Sequence, residues 1–114
     1  MQYTELVTVD QWKAALEDTN KRPAFIFKHS TQCPISAGAL DEYMAYLEDE
    51  PNKDIQYYYV RVIESRPVSN QIAEDLGVVH KSPQAIFIDH EKALWDGSHW
   101  TITYSWLTES IGTP

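Results

Sequence analysis

The chain reads as one α/β domain in which a central mixed β-sheet carries helices on both faces. Three observations predict this class. Short continuous apolar runs at residues 23–27 and 84–88 have the pattern of strands buried on both sides. Stretches of helical periodicity separate the early strands, which implies parallel crossovers. The last two strand-like runs are close enough to form a hairpin instead. With 114 residues, the chain is expected to form a single domain over residues 1–114, able to bury roughly two-thirds of its unfolded surface.

The elements follow in order. Residues 3–7 make a weak first strand. Thr8-Val9-Asp10-Gln11 then has capping-box form, with Thr8 as N-cap and Gln11 at the third helical position. Trp12, Ala15 and Leu16 recur at helical spacing, so this helix runs to about Asn20. The strand at 23–27 follows. From Pro34, a stripe of Ile35, Ala39, Leu40, Tyr43, Met44 and Leu47 marks a second helix, which Pro51 and Asn52 end. Glu48-Asp49-Glu50 lies near its C-terminus, where the macrodipole disfavours negative charge; that end is expected to fray, with the acidic run a solvated face.

Residues 55–63 carry three tyrosines and alternate into Val60 and Val62, as a strand does. Pro67 opens a third helix with Val68, Ile72, Ala73 and Leu76 inward, and Gly77 stops it in the left-handed conformation of a C-cap. Pro83 leads directly into the apolar strand through Ile88, and residues 92–95 return as its partner after the turn at Asp89-His90-Glu91. Thr103 caps a last helix through Ile111, with Ile102 and Leu107 spaced as a hydrophobic staple and Gly112 as its stop.

Composition removes several classes of function. Nine basic residues against seventeen acidic ones give a net charge of −8, which argues against a nucleic-acid or anionic-membrane surface. No apolar run approaches the roughly twenty residues of a membrane helix, and residues 1–5 show no secretory signal. A single cysteine cannot form an internal disulfide, so a cytoplasmic location is expected. His80, His90 and His99 show no metal-ligand spacing with one another or with Cys33, so no metal site is expected. Phosphate-binding, dinucleotide and nucleophile-elbow motifs are missing.

Cys33 is the residue that carries chemistry. It sits between a strand and a helix, after polar Ser30-Thr31-Gln32 and before Pro34. There the unpaired N–H groups and the positive end of the helix dipole favour thiolate over thiol. Pro34 suits the first helical position, which needs no N–H. Ser36 stands three residues after Cys33, where a two-cysteine redox motif places its resolving thiol. A second proline, Pro83, heads an apolar strand after a glycine-capped helix.

Together these residues resemble a family. Phe27-Lys28-His29-Ser30-Thr31-Gln32-Cys33-Pro34-Ile35-Ser36, Leu76-Gly77-Val78 with Ser82-Pro83-Gln84, and Trp95, Ser98-His99-Trp100 and Ile102-Thr103 are similar to the YtxJ-type monothiol bacilliredoxins of the thioredoxin superfamily. The resemblance covers nearly the whole chain. It implies a thioredoxin-like fold and reduction of mixed disulfides between proteins and bacillithiol, a low-molecular-weight bacterial thiol. Cys33 would be the nucleophile within the motif completed by Pro34, Ile35 and Ser36. Ser82, Pro83 and Thr31 would meet the substrate, with Pro83 in the cis form. Bacillithiol would be a co-substrate rather than a tightly bound cofactor. The partners implied are S-bacillithiolated proteins and an external thiol or partner redoxin, with the chain itself a monomer.

Other readings stay open at this level. Ser36 is read either as a hydrogen-bond partner of the Cys33 sulfur or as ordinary first-turn polarity. Lys28 and His29 point to opposite sides of a strand, so one at most can reach the thiol, and a solvated pair at the strand end is the plainer expectation. Trp12, Trp95, Trp100 and Trp106 are expected in the core or at its rim. The competing functions are a non-catalytic thioredoxin-like module that holds an extended peptide, and a redox sensor whose cysteine is modified without turnover.

Overall fold

The computed structural model describes residues 3–49 and 51–112. Their order is β1 (Thr4–Glu5), α1 (Val9–Asp18), β2 (Ala24–His29), α2 (Pro34–Glu48), β3 (Gln56–Arg61), α3 (Arg66–Leu76), β4 (Gln84–Asp89), β5 (Lys92–Ser98), a 3-10 turn (His99–Thr101) and α4 (Tyr104–Ile111). The five strands form one sheet in the order β1-β3-β2-β4-β5. β1, β3 and β2 are parallel, while β4 runs antiparallel to β2 and pairs with β5 as a hairpin. The mixed sheet follows from the connections. Helical crossovers return the chain parallel, and the short turn after Asp89 can only reverse it.

β2 lies at the centre, paired on both sides, and every residue of it is buried. Its alternating side chains feed two separate cores. Phe25 and Phe27 pack with Tyr43, Tyr46 and Leu47 of α2 and with Leu107 and Ile111 of α4. Ala24 and Ile26 pack on the other face with Trp12 of α1 and Val68 and Ile72 of α3. Helices therefore cover both faces, as the apolar runs predict.

The local signals hold where side chains enforce them. Thr8 Oγ1 accepts from Gln11 N at 3.1 Å while Gln11 Oε1 accepts from Thr8 N at 3.0 Å, closing the capping box. Gly77 ends α3 at φ 64, a left-handed conformation that costs glycine nothing. Thr103 Oγ1 accepts from Trp106 N at 3.1 Å, and Ile102 and Leu107 are both buried as the staple requires. Glu48 and Asp49 are exposed as expected for the acidic run; Glu50 lies outside the described residues.

Three elements differ from expectation. β2 extends through Lys28 and His29, because β3 offers partners as far as Val60 and Arg61. β5 runs on to Ser98 rather than stopping near Trp95, because Asp96, Gly97 and Ser98 continue the ladder opposite Ile86, Ala85 and Gln84. Pairing there overrides the poor strand propensity of Asp and Gly. The 3-10 turn after it has no periodic signature of its own.

Gly97 explains how β5 meets α4. A Cβ built there would lie 2.6 Å from the Trp106 ring, which itself packs edge-on to Trp95 at 5.4 Å between centroids. The indole occupies the space of the missing side chain. Gly97→Ala is expected to displace Trp106 and cost about 1–3 kcal/mol of stability. Urea denaturation measures this; an unchanged midpoint would contradict the packing.

Candidate active site

The sheet delivers Cys33 to one edge of the fold. β2 ends at His29, three residues bridge the gap, and Cys33 becomes the N-cap residue of α2 with extended backbone at φ −115, ψ 121. Cys33 N donates to Ser30 O at 3.3 Å, and Cys33 O accepts from Ala37 N at 3.0 Å. Pro34 fills the first helical position without sacrificing a donor. The thiol is free and half-buried.

Ser36 is wholly buried, and its hydroxyl is what closes the turn from strand to helix. Ser36 Oγ accepts from Ser30 N at 2.9 Å and lies 2.8 Å from His29 Nδ1. With the imidazole neutral and its proton on Nε2, Ser36 donates to Nδ1 while accepting from Ser30. Of the two readings of Ser36, the structure shows a third use: pinning the end of β2 and the Ser30 loop to the first turn of α2.

Lys28 and His29 are not a solvated pair. Their exposures are 0% and 6%, because β2 is a central strand paired with β3 along its whole length and with β4 as far as Lys28. They do face opposite sides. His29 lies on the α2 side, stacked on Phe27 at 6.1 Å and beside Tyr59 at 5.9 Å. Burial holds its imidazole below the ordinary histidine value, against the opposing pull of the Ser36 backbone and the Glu64 carboxylate. Lys28 points to the α3 side, where its Nζ donates to Ser69 O at 3.4 Å, and burial brings its pKa down to about 8.

The remaining predicted residues divide. Thr31 is exposed, its hydroxyl donating to Glu64 Oε2 at 2.9 Å. Antiparallel pairing of Gln84 with Lys28 brings Pro83 to the end of β2, where the loop to Cys33 leaves. Pro83 is buried and the Ser82–Pro83 peptide is cis. Pro83 O accepts from His99 N at 3.1 Å, which anchors the 3-10 turn to this corner. Ser82 Oγ is shielded from solvent and has no hydrogen-bond partner among the described residues.

Sequence reasoning missed the 3-10 turn as a part of the site. Trp12 is core and Trp95 and Trp106 are half-buried, but Trp100 stands out in solvent. It borders a groove that starts at Pro34 and Ile35. The sequence signalled these residues only through the family resemblance that Ser98-His99-Trp100 help to carry. Among the described residues, no group of three or more His, Cys, Asp or Glu side chains is placed to hold a metal ion, and no helix is long and apolar enough to cross a membrane.

A thiol at a helix N-cap, beside a cis-proline strand and on a mixed sheet with helices on both faces, defines a thioredoxin-fold protein. The solved structures agree. One described as a candidate oxidoreductase with a thioredoxin fold is 32% identical, with a TM-score of 0.80 over 95% of this chain and 92% of that one. Thioredoxin from Fasciola hepatica is 16% identical, with a TM-score of 0.73 over 95% of each chain. Mitochondrial thioredoxin 3 from Saccharomyces cerevisiae is 13% identical, with a TM-score of 0.71 over 96% and 92%; these last two are likenesses of fold alone. The family model of monothiol bacilliredoxin BrxC matches residues 4–107. The chain belongs to the monothiol bacilliredoxin family, and so to the thiol–disulfide oxidoreductases of this fold.

The buried lysine gives a test of the site's framework. Lys28 carries a proton in the folded protein below about pH 8 but in the unfolded chain up to its ordinary value of 10.5. Between these values the unfolded chain binds the extra proton, so stability rises with pH and the buried charge is a cost at pH 7. Lys28→Met is therefore expected to stabilise the protein at pH 7 by about 1–3 kcal/mol. The difference from wild type should shrink between pH 8 and 10.5, as denaturation curves at several pH values would show.

Proposed function

We propose that the protein reduces mixed disulfides between proteins and bacillithiol, with Cys33 as the sole nucleophile. The Cys33 thiolate attacks the bacillithiol sulfur of the substrate, the substrate disulfide breaks, and the protein thiolate leaves and takes up a proton. Cys33 then holds bacillithiol in a new disulfide. An external thiolate, from a second bacillithiol or a partner redoxin, attacks that disulfide and restores Cys33. Two electrons enter from the external thiols, and none from a bound cofactor.

One observation carries this reading: the chain has a single thiol, half-exposed at the start of α2, and the hydroxyl at the resolving position is buried and engaged with Ser30 and His29. Family membership supports the choice of bacillithiol. The backbone of half-buried Ser82 next to Pro83, and the exposed Thr31, fit contact with an extended substrate segment. A small thiol then enters as co-substrate, and the substrates are S-bacillithiolated proteins of the cytoplasm, met by a monomer.

Turnover of a bacillithiolated model protein tests the assignment. Cys33→Ser is expected to abolish release of the substrate thiol. Ser36→Ala should keep partial activity while losing about 1–3 kcal/mol of stability, the cost of leaving Ser30 N and His29 unmatched. Activity surviving in Cys33→Ser would require another nucleophile. Substrate binding indifferent to Cys33, without turnover, would favour a peptide-holding module.

A further inference from the structure

Trp100 is 78% exposed in a fold that buries Trp12 completely. The backbone holds it there. His99 sits at φ 54, a left-handed conformation disfavoured for a non-glycine residue and kept only where surroundings over-determine it. Those surroundings are on both sides of the turn: His99 N donates to Pro83 O at 3.1 Å, and Ile102 N donates back to His99 O at 3.3 Å from a buried residue.

Between this turn and the first turns of α2 runs a groove of about 390 Å³. Pro34, Ile35 and Trp100 give it apolar walls. Gly38 also lines it, and an added Cβ there would meet nothing within 4 Å, so a larger side chain at this position has open space to fill. Its rim is acidic: Asp41 is exposed, and Glu42 spends one carboxylate oxygen on Tyr104 N at 2.9 Å. Neither lysine nor arginine lines it, and the whole chain carries a net charge of −8. A second copy of this chain would bring more negative charge to the groove, whereas a cationic segment would complement it.

We propose that this groove takes the stretch of the substrate protein next to its disulfide-bonded cysteine and selects a lysine or arginine there. The aliphatic stem of that residue lies along Ile35 and the Trp100 face, and its charged end meets Asp41. An indole attracts a cation over its face, and the long basic side chains combine an apolar stem with a charged tip. The assignment rests on the oxidoreductase reading, because the groove begins at the residue after Cys33. It adds a preference among substrates that the thiol alone cannot supply.

Two peptides of equal length test it, each with one cysteine blocked as a mixed disulfide with 2-mercaptoethanol and flanked by lysines in one and glutamates in the other. The rate of transfer to Cys33 is measured at physiological ionic strength, where long-range steering is largely screened. The lysine peptide is expected to react about five-fold faster, and Asp41→Asn, Trp100→Ala and Gly38→Leu should each bring the ratio below about two. Glu74→Gln, which removes an equal charge from the exposed side of α3, should leave the ratio unchanged. Equal rates for the two peptides, or the same fall in Glu74→Gln, would overturn the groove. Bis(2-hydroxyethyl) disulfide separates the two levels. A thiol that reacts with it but ignores peptide charge defeats the groove alone, and one that reacts with neither defeats the oxidoreductase reading as well.

Discussion

The hydroxyl of Ser36 holds together the junction on which the site depends. Accepting from Ser30 N at 2.9 Å and lying 2.8 Å from His29 Nδ1, it ties the last residue of β2 to the first turn of α2. Cys33 lies inside the loop so closed, and its position is set by both ends. A hydroxyl in so dry a place is costly without partners and specific with them. His29 matches it because burial keeps the imidazole neutral and able to accept.

That junction rests in turn on the central place of β2. Pairing with β3 and β4 fixes where the strand ends, and its two faces anchor α2 and α4 on one side and α1 and α3 on the other. The same pairing with β4 carries Pro83 to the corner, and the bond from His99 N to Pro83 O adds the 3-10 turn. Residues from the beginning, middle and end of the chain thus meet around one thiol. In a two-cysteine relative the residue at position 36 would be chemistry; here it is architecture.

Much of this was legible in the residues. Capping boxes, helix-stopping glycine and apolar runs are local, and Thr8, Gly77 and Thr103 behave as their types dictate. The placement of Cys33 before Pro34 was legible for the same reason. What escaped depends on partners distant in sequence. Lys28 and His29 look like a strand end in solution until β3 is known to extend beside them. The length of β5 depends on its ladder with β4, and the exposure of Trp100 on a left-handed His99 held by Pro83. Neither follows from propensity or period.

In the function proposed above, one thiol, without an internal successor, carries the exchange to a mixed disulfide and stops there. Intact-mass analysis of the wild-type protein mixed with oxidised bacillithiol, then freed of small thiols, tests it directly. One bacillithiol per chain is expected, on Cys33, persistent until reduced thiol is added and then fully lost. No adduct, or one lost before any reduced thiol is added, would contradict it.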